Sequence, residues 1–205
     1  MADPTEFQFS VSTFAPLAVG FFGLGTGYLI YFSQELFDWP RSDERVLIST
    51  GIWGIFMPGL MQLITGTYLF VGLAWFHSFR DKPLYMAALA FTAYGVHWFA
   101  IGYNRYRGAD PRPNAGMAVA FTIISVLGIV VFFRAKDWPV GLLFIGLTAI
   151  YVSDTFASAR GLFPERINLL GNRALGLFHL LTGLWLMYLT WATALNFASG
   201  MHLPL

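Results

Sequence analysis

The lysines and arginines of this 205-residue chain fall between six long apolar segments or at their extreme ends, and ten of its eleven acids lie outside them too. The segments are 13–33, 46–76, 84–103, 116–134, 139–157 and 172–196. Each is near or above the roughly 20 residues that carry a helix across a hydrocarbon core of about 30 Å. A charge at mid-membrane costs at least about 2.5 kcal/mol, so lipid demands this segregation. A soluble helical protein scatters its charges along its outer helix faces. The apolar runs are continuous, without the alternation over about ten residues that marks a membrane barrel. The expected fold class is therefore all-α: an integral membrane protein with six transmembrane helices per protomer, residues 1–205 forming a single transmembrane domain.

Composition narrows the function classes. Hydrophobic residues make up 57% of the chain and charged ones 11%, against about a quarter charged in soluble domains. A chain of this size has too little interior to hide that much apolar surface from water. A net charge of +1 gives no reason to expect nucleic acid as a partner. The absence of cysteine rules out disulfides, thiol catalysis and thiolate metal sites. The N-terminal stretch MADPTEFQFSVSTF carries Asp3 and Glu6 and no basic residue. A cleaved signal peptide needs a positive start, so none is expected, and the spans themselves anchor the chain. No Gly-x-Ser-x-Gly elbow or Walker A loop occurs, and Gly23-Leu24-Gly25-Thr26-Gly27 lies inside a span. Neither enzymatic activity nor a cofactor is expected.

Loop charges set an orientation. Arg41, Arg45, Arg105, Arg107, Arg112, Arg160, Arg166 and Arg173 lie on one side; Arg80, Lys82, Arg134 and Lys136 lie on the other. This places a multi-pass protein in the cell membrane with both termini on the non-cytoplasmic side. Trp39, Trp75, Tyr103, Trp138 and Trp191 read as interfacial anchors. Gly20, Gly23, Gly25 and Gly27, with Gly51, Gly54, Gly59 and Gly66, permit close helix approach or line a path. Ala15-Pro16 and Pro58-Gly59 mark possible helix interruptions, and Pro58-Gly59 is the expected kink of the long second segment.

Ala15-Pro16-Leu17 followed by Gly20-Phe21-Phe22-Gly23 resembles the N-terminal signature of the acetate uptake transporter family, which includes bacterial succinate–acetate permeases and fungal acetate and ammonia exporters. Gly54-Ile55-Phe56, Gly59, Gln62 and Gly66 fall in register with that family's Gly-Ile-Phe-x-x-Gly-x-x-Gln-x-x-x-Gly. Ala90-Phe91-Thr92-Ala93-Tyr94-Gly95, then Trp98, is similar to its third-helix motif, and Pro113-Asn114-Ala115 and Leu147-Thr148 match further along. The chain departs at Thr13-Phe14, Ala18-Val19 and Lys82-Pro83-Leu84. The resemblance implies a transporter or channel for a small monocarboxylate such as acetate, built as a homo-hexamer with a path in each protomer. It implies an apolar constriction, which falls on Phe22, Tyr94 and Leu147, with the polar Gln62 in the same motif as helix 2.

A carboxylate is costly to desolvate. A path answers this with donors and helix N-termini, or by passing the protonated acid through a tight apolar gate that dewets against hydrated ions. For each candidate a plainer reading stands beside the functional one. Phe22, Tyr94 and Leu147 also suit ordinary packing. Gln62 either donates to solute or water, or makes an interhelical hydrogen bond worth about 0.6–2 kcal/mol. Asp154, the acid inside a segment, is either a proton acceptor or a helix-end residue paired with Arg160 or solvated. His97 shares a helix face with Tyr94. It is either a proton relay with His179 as partner, or a neutral side chain bonded between helices. Two histidines without further ligands do not make a metal site, and haem ligation by the same pair is set aside. The rival functions are a channel for urea, a short amide or ammonia, and a non-transporting structural subunit of a larger membrane complex.

Overall fold

The computed structural model describes residues 17–205. Asp3, Glu6, residues 13–16 and the Ala15-Pro16 pair lie outside the described residues. Six helices follow: α1 Leu17–Phe37, α2 Glu44–Trp75, α3 Pro83–Arg107, α4 Asn114–Arg134, α5 Trp138–Ser158 and α6 Glu165–Ser199. The chain is an all-α, multi-pass membrane protein, and α2 to α6 are each long and apolar enough to cross a bilayer.

Local chemistry sets the helix ends. The Asp43 side chain caps α2 by accepting from the Val46 N–H at 2.9 Å, and Asp137 caps α5 through Val140 at 3.1 Å. Each satisfies a backbone donor that the first turn leaves free. Pro83 opens α3, where its missing N–H costs nothing. Gly108 closes α3 at φ 61°, the left-handed region that glycine enters without strain. Within α2 the turns Ile55–Leu60 and Val71–Trp75 are π-helical. Pro58 stands in the first of them; it has no backbone donor, and the wider turn absorbs the break.

The helices form a closed ring in chain order. Each packs on the next, and α6 returns to α1. The odd-numbered helices start from the same end and meet across the middle through side chains. Phe21 of α1 lies 5.6 Å from Phe91 of α3 between ring centroids, and Tyr94 of α3 lies 5.6 Å from Tyr151 of α5. The glycines of α1 serve its neighbours. Gly23 faces Met57 and Met61 of α2, Gly27 seats the Pro58 ring, and Gly25 lies against Gly183 and Met187 of α6. They allow backbone approach; the inner wall of α1 is made by Phe21, Leu24 and Tyr28.

Polar side chains such as Gln62, Thr65, Ser125 and His179 are buried, while Ile123, Val126 and Leu184 are exposed. That inversion suits a chain whose outer solvent is lipid. Two helices run a full turn past the C-terminal ends of their apolar segments. α1 continues past Ser33 to Phe37, and α3 past Tyr103 to Arg107. Glu35 and Arg105 are therefore helical residues facing the interior, where loop positions were expected. Their mutual pairing offsets part of the cost of burying them. α6 starts at Glu165, seven residues ahead of the segment 172–196.

Candidate conduction path

A cavity enters the ring from each end. The first, about 630 Å³, is walled by Leu17, Phe21, Leu24, Phe91, Tyr94, Leu143 and Leu147, with Arg80, Asp81, Lys82 and Asp137 near its mouth. The second, about 490 Å³, is walled by Tyr28, Tyr31, Glu35, His97, Trp98, Tyr151, Asp154 and His179, with Asp38 and Arg160 towards its rim. The inner wall of the first is therefore apolar behind a charged mouth, and that of the second is polar.

No residue lines both cavities. On α1 the boundary falls between Leu24 and Tyr28, on α3 between Tyr94 and His97, and on α5 between Leu147 and Ile150. The intervals are three to four residues, about 4.5–6 Å of helix. The layer closing the path is thus about one turn thick. Aromatic rings fill it: Tyr94 lies 5.3 Å from Phe121, Phe121 lies 5.2 Å from Tyr151, and His97 lies 4.7 Å from Phe121.

Two polar groups face the apolar cavity near this layer. The Ser125 hydroxyl donates to the Phe121 carbonyl at 2.8 Å. Its single hydrogen is used there, so the 2.9 Å contact with Tyr94 has the tyrosine hydroxyl as donor. What Tyr94 still offers is an acceptor lone pair. Gln62, fully buried, turns its amide N–H back to the Pro58 carbonyl at 3.0 Å, in the π-helical turn. Its Oε1 has no partner among the described residues. The bond it makes is within its own helix, neither of the two arrangements expected for it.

The polar half is titratable. Tyr151 and His97 Nδ1 are 3.4 Å apart. Tyr28 stacks on His179 at 4.5 Å, and His179 Nδ1 lies 2.5 Å from Glu35 Oε2. The other Glu35 oxygen is 3.5 Å from Arg105. Arg105 donates to Gln34 at 2.8 Å and lies 3.7 Å over the Tyr31 ring. Asp154 accepts from Ser158 Oγ at 2.6 Å and forms no salt bridge with Arg160. In the connecting loops, paired hydrogen bonds from Arg112 hold the Asp110 carboxyl below the usual range, and burial pushes Asp137 up.

The structure brings Tyr94, Leu147 and Gln62 to one cavity, and His97, Asp154 and His179 to the other. Phe22 is in neither: it is 43% exposed on the outer surface, and the ring facing inward is Phe21, 2% exposed. Sequence reasoning missed Phe21, Tyr28, Tyr151 and Glu35, and placed Arg105 in a loop, where the structure has it in α3. The available signal for Glu35 was its position four residues after Tyr31, on the same helix face. Among the described residues no set of three or more His, Cys, Asp or Glu side chains is arranged to hold a metal ion.

A ring of six helices, of which α2 to α6 are each long and apolar enough to cross a bilayer, defines the fold. It is similar to the fold of the solved structure of the bacterial acetate channel SatP. The two superpose with a TM-score of 0.69 over 91% of this chain and 95% of that one, at 16% sequence identity. No known family description matches the chain, and no curated protein matches it by sequence.

Proposed function

We propose that this chain is a membrane conduit for a small monocarboxylic acid such as acetic acid, moved in its protonated form. The observation that carries the reading is a pair of acceptors, Gln62 Oε1 and the Tyr94 hydroxyl oxygen, on two residues that line the apolar cavity. A carboxyl O–H can donate to either, whereas a carboxylate meets oxygen lone pairs in a low dielectric and loses its hydration. Phe21, Leu24, Tyr94 and Leu147 form the apolar constriction in this reading, with Phe21 taking the place that motif matching assigned to Phe22. The fold shared with an acetate channel supports the substrate class.

In the polar half His97, His179 and Asp154 serve as the proton relay through which the acid returns its proton to water, so proton and solute move together. The protomer works within a homo-oligomer, a hexamer by the sequence resemblance, and native mass spectrometry in detergent measures that number. A neutral amide, urea or ammonia also donates to the same two acceptors, and this is the second reading.

The test is uptake of labelled acetate and labelled urea into proteoliposomes, with and without a pH gradient, against protein-free vesicles. Acetate uptake that grows with an inward proton gradient supports the proposal. Urea uptake alone favours the second reading, and no flux of either favours a structural subunit. Tyr94→Ala is expected to alter flux or selectivity and Trp191→Ala, at the exposed periphery, is not. Near-wild-type flux in both removes Tyr94 from the path.

A further inference from the structure

Among the described residues, one buried acid of the polar cavity stands without a basic partner. Glu35 and Arg105 face each other at 3.5 Å and cancel. His179 is engaged with the same carboxyl, its Nδ1 2.5 Å from Glu35 Oε2. Asp154 is left over. It is buried, its bonded partner is the Ser158 hydroxyl, and no Lys, Arg or His nitrogen among the described residues lies within 4 Å of it. Around it stand Tyr28, Glu35 and the rim residue Asp38 from the α1 side, and His97 and Arg105 from α3. Tyr151 of α5, His179 of α6 and the rim residue Arg160 complete the set. α2 and α4 contribute only the uncharged Leu47 and Asn114.

A lone carboxylate inside a membrane bundle is costly, and it acts on whatever shares its cavity. We infer that Asp154 is a charge filter for the polar half of the path: ionised, it bars small anions from the cavity, and protonated, it admits them. This rests on the reading of the two cavities as one solute path, and it adds that a single carboxyl sets the charge of the species admitted at the polar mouth. Glu35 does not play this part, because its charge is already cancelled by Arg105. The filter does not need the aromatic layer to open, since it controls occupancy of the polar cavity alone.

That independence gives the test. Trp98 lines the polar cavity, and the other six of the seven tryptophans can be replaced by phenylalanine. Quenching of Trp98 fluorescence in the purified protein is then measured with iodide, an anion, and with acrylamide, a neutral molecule, across pH. Acrylamide is expected to quench at every pH. Iodide is expected to be excluded at high pH and to gain access on acidification with the slope of a single proton. In Asp154→Asn iodide quenches at every pH, while acrylamide quenching stays unchanged and reports an intact cavity. Asp154→Glu restores the pH dependence. Iodide quenching that is identical in wild type and Asp154→Asn at all pH values overturns the inference, as does free access of iodide to the wild type at high pH. Acetate flux in the same variants separates the two ideas: a working filter with no flux removes the conduit alone, and flux with no filter removes the filter alone.

Discussion

The Glu35 carboxylate of α1 and the His179 ring of α6 meet at 2.5 Å, at the place where Gly176 lets α6 lie against the α1 backbone. Arg105 of α3 approaches the other carboxylate oxygen at 3.5 Å, so one side chain ties three helices of the ring together. Removing one member of a buried ion pair strands its partners and costs about 3–5 kcal/mol. Glu35→Ala is expected near the lower end, because Arg105 retains partial access to water. Glu35→Gln, which can still accept, loses less. Thermal unfolding in detergent reads both, and a Glu35→Ala protein as stable as wild type contradicts the assigned role.

Phe21 and Phe22 offer a comparison between neighbours. Phe21 packs on Phe91 at the apolar cavity, while Phe22 faces outward. Phe21→Ala is expected to widen the path, so that butyrate gains on acetate in a competition uptake assay. Phe22→Ala leaves that ratio as it was. The reverse result would put the path on the other face of α1.

Tyr94→Phe keeps the ring and deletes one oxygen. The lost hydrogen bond to Ser125 is worth about 0.5–1.5 kcal/mol of stability, and Ser125 keeps its bond to Phe121. If the Tyr94 oxygen accepts from the passing acid, flux falls by about tenfold, the equivalent of roughly 1.4 kcal/mol. Initial rates of acetate uptake at fixed protein density measure this. An unchanged rate leaves Gln62 as the acceptor that matters.

Asp137 carries a pH-dependent share of stability. Burial raises its carboxyl above the ordinary value of 3.8, so the folded protein holds that proton more tightly than the unfolded chain does. Stability from this group is therefore greatest in acid, falls as pH rises from the ordinary value to the raised one, and is level above. Asp137→Asn keeps an oxygen for the Val140 N–H and flattens this component. Asp137→Ala loses the cap, at about 1 kcal/mol. Melting curves across the acidic range separate the two variants.

The six helices were legible because lipid leaves so little freedom in where charge can stand. The inward positions of Tyr94, Gln62 and Leu147 were legible through motif spacing. Phe22 was not, because adjacent residues on a helix point about 100° apart; two phenylalanines side by side satisfy the same pattern, and only the packing against Phe91 decides which faces in. Glu35 and Arg105 were hidden for a different reason. A charge one turn beyond an apolar run reads as loop, and its partners lie on distant helices. Asp154 was visible as an anomaly, but its surroundings were not: Arg160 lies close in sequence and still does not pair with it.

The two vestibules differ in chemistry, and that difference bears on kinetics rather than on energetics. In the proposed conduit, a solute with a methyl tail and a carboxyl head meets an oily antechamber behind a charged rim at one end, and a chamber lined by charged and polar groups at the other. Its capture and escape rates therefore need not match at the two membrane faces. Microscopic reversibility still equalises the fluxes once concentrations and proton potentials are equal on both sides. The protomer can thus fill faster from one side than from the other without any fuel of its own, and its apparent affinity, unlike its equilibrium, would carry a direction.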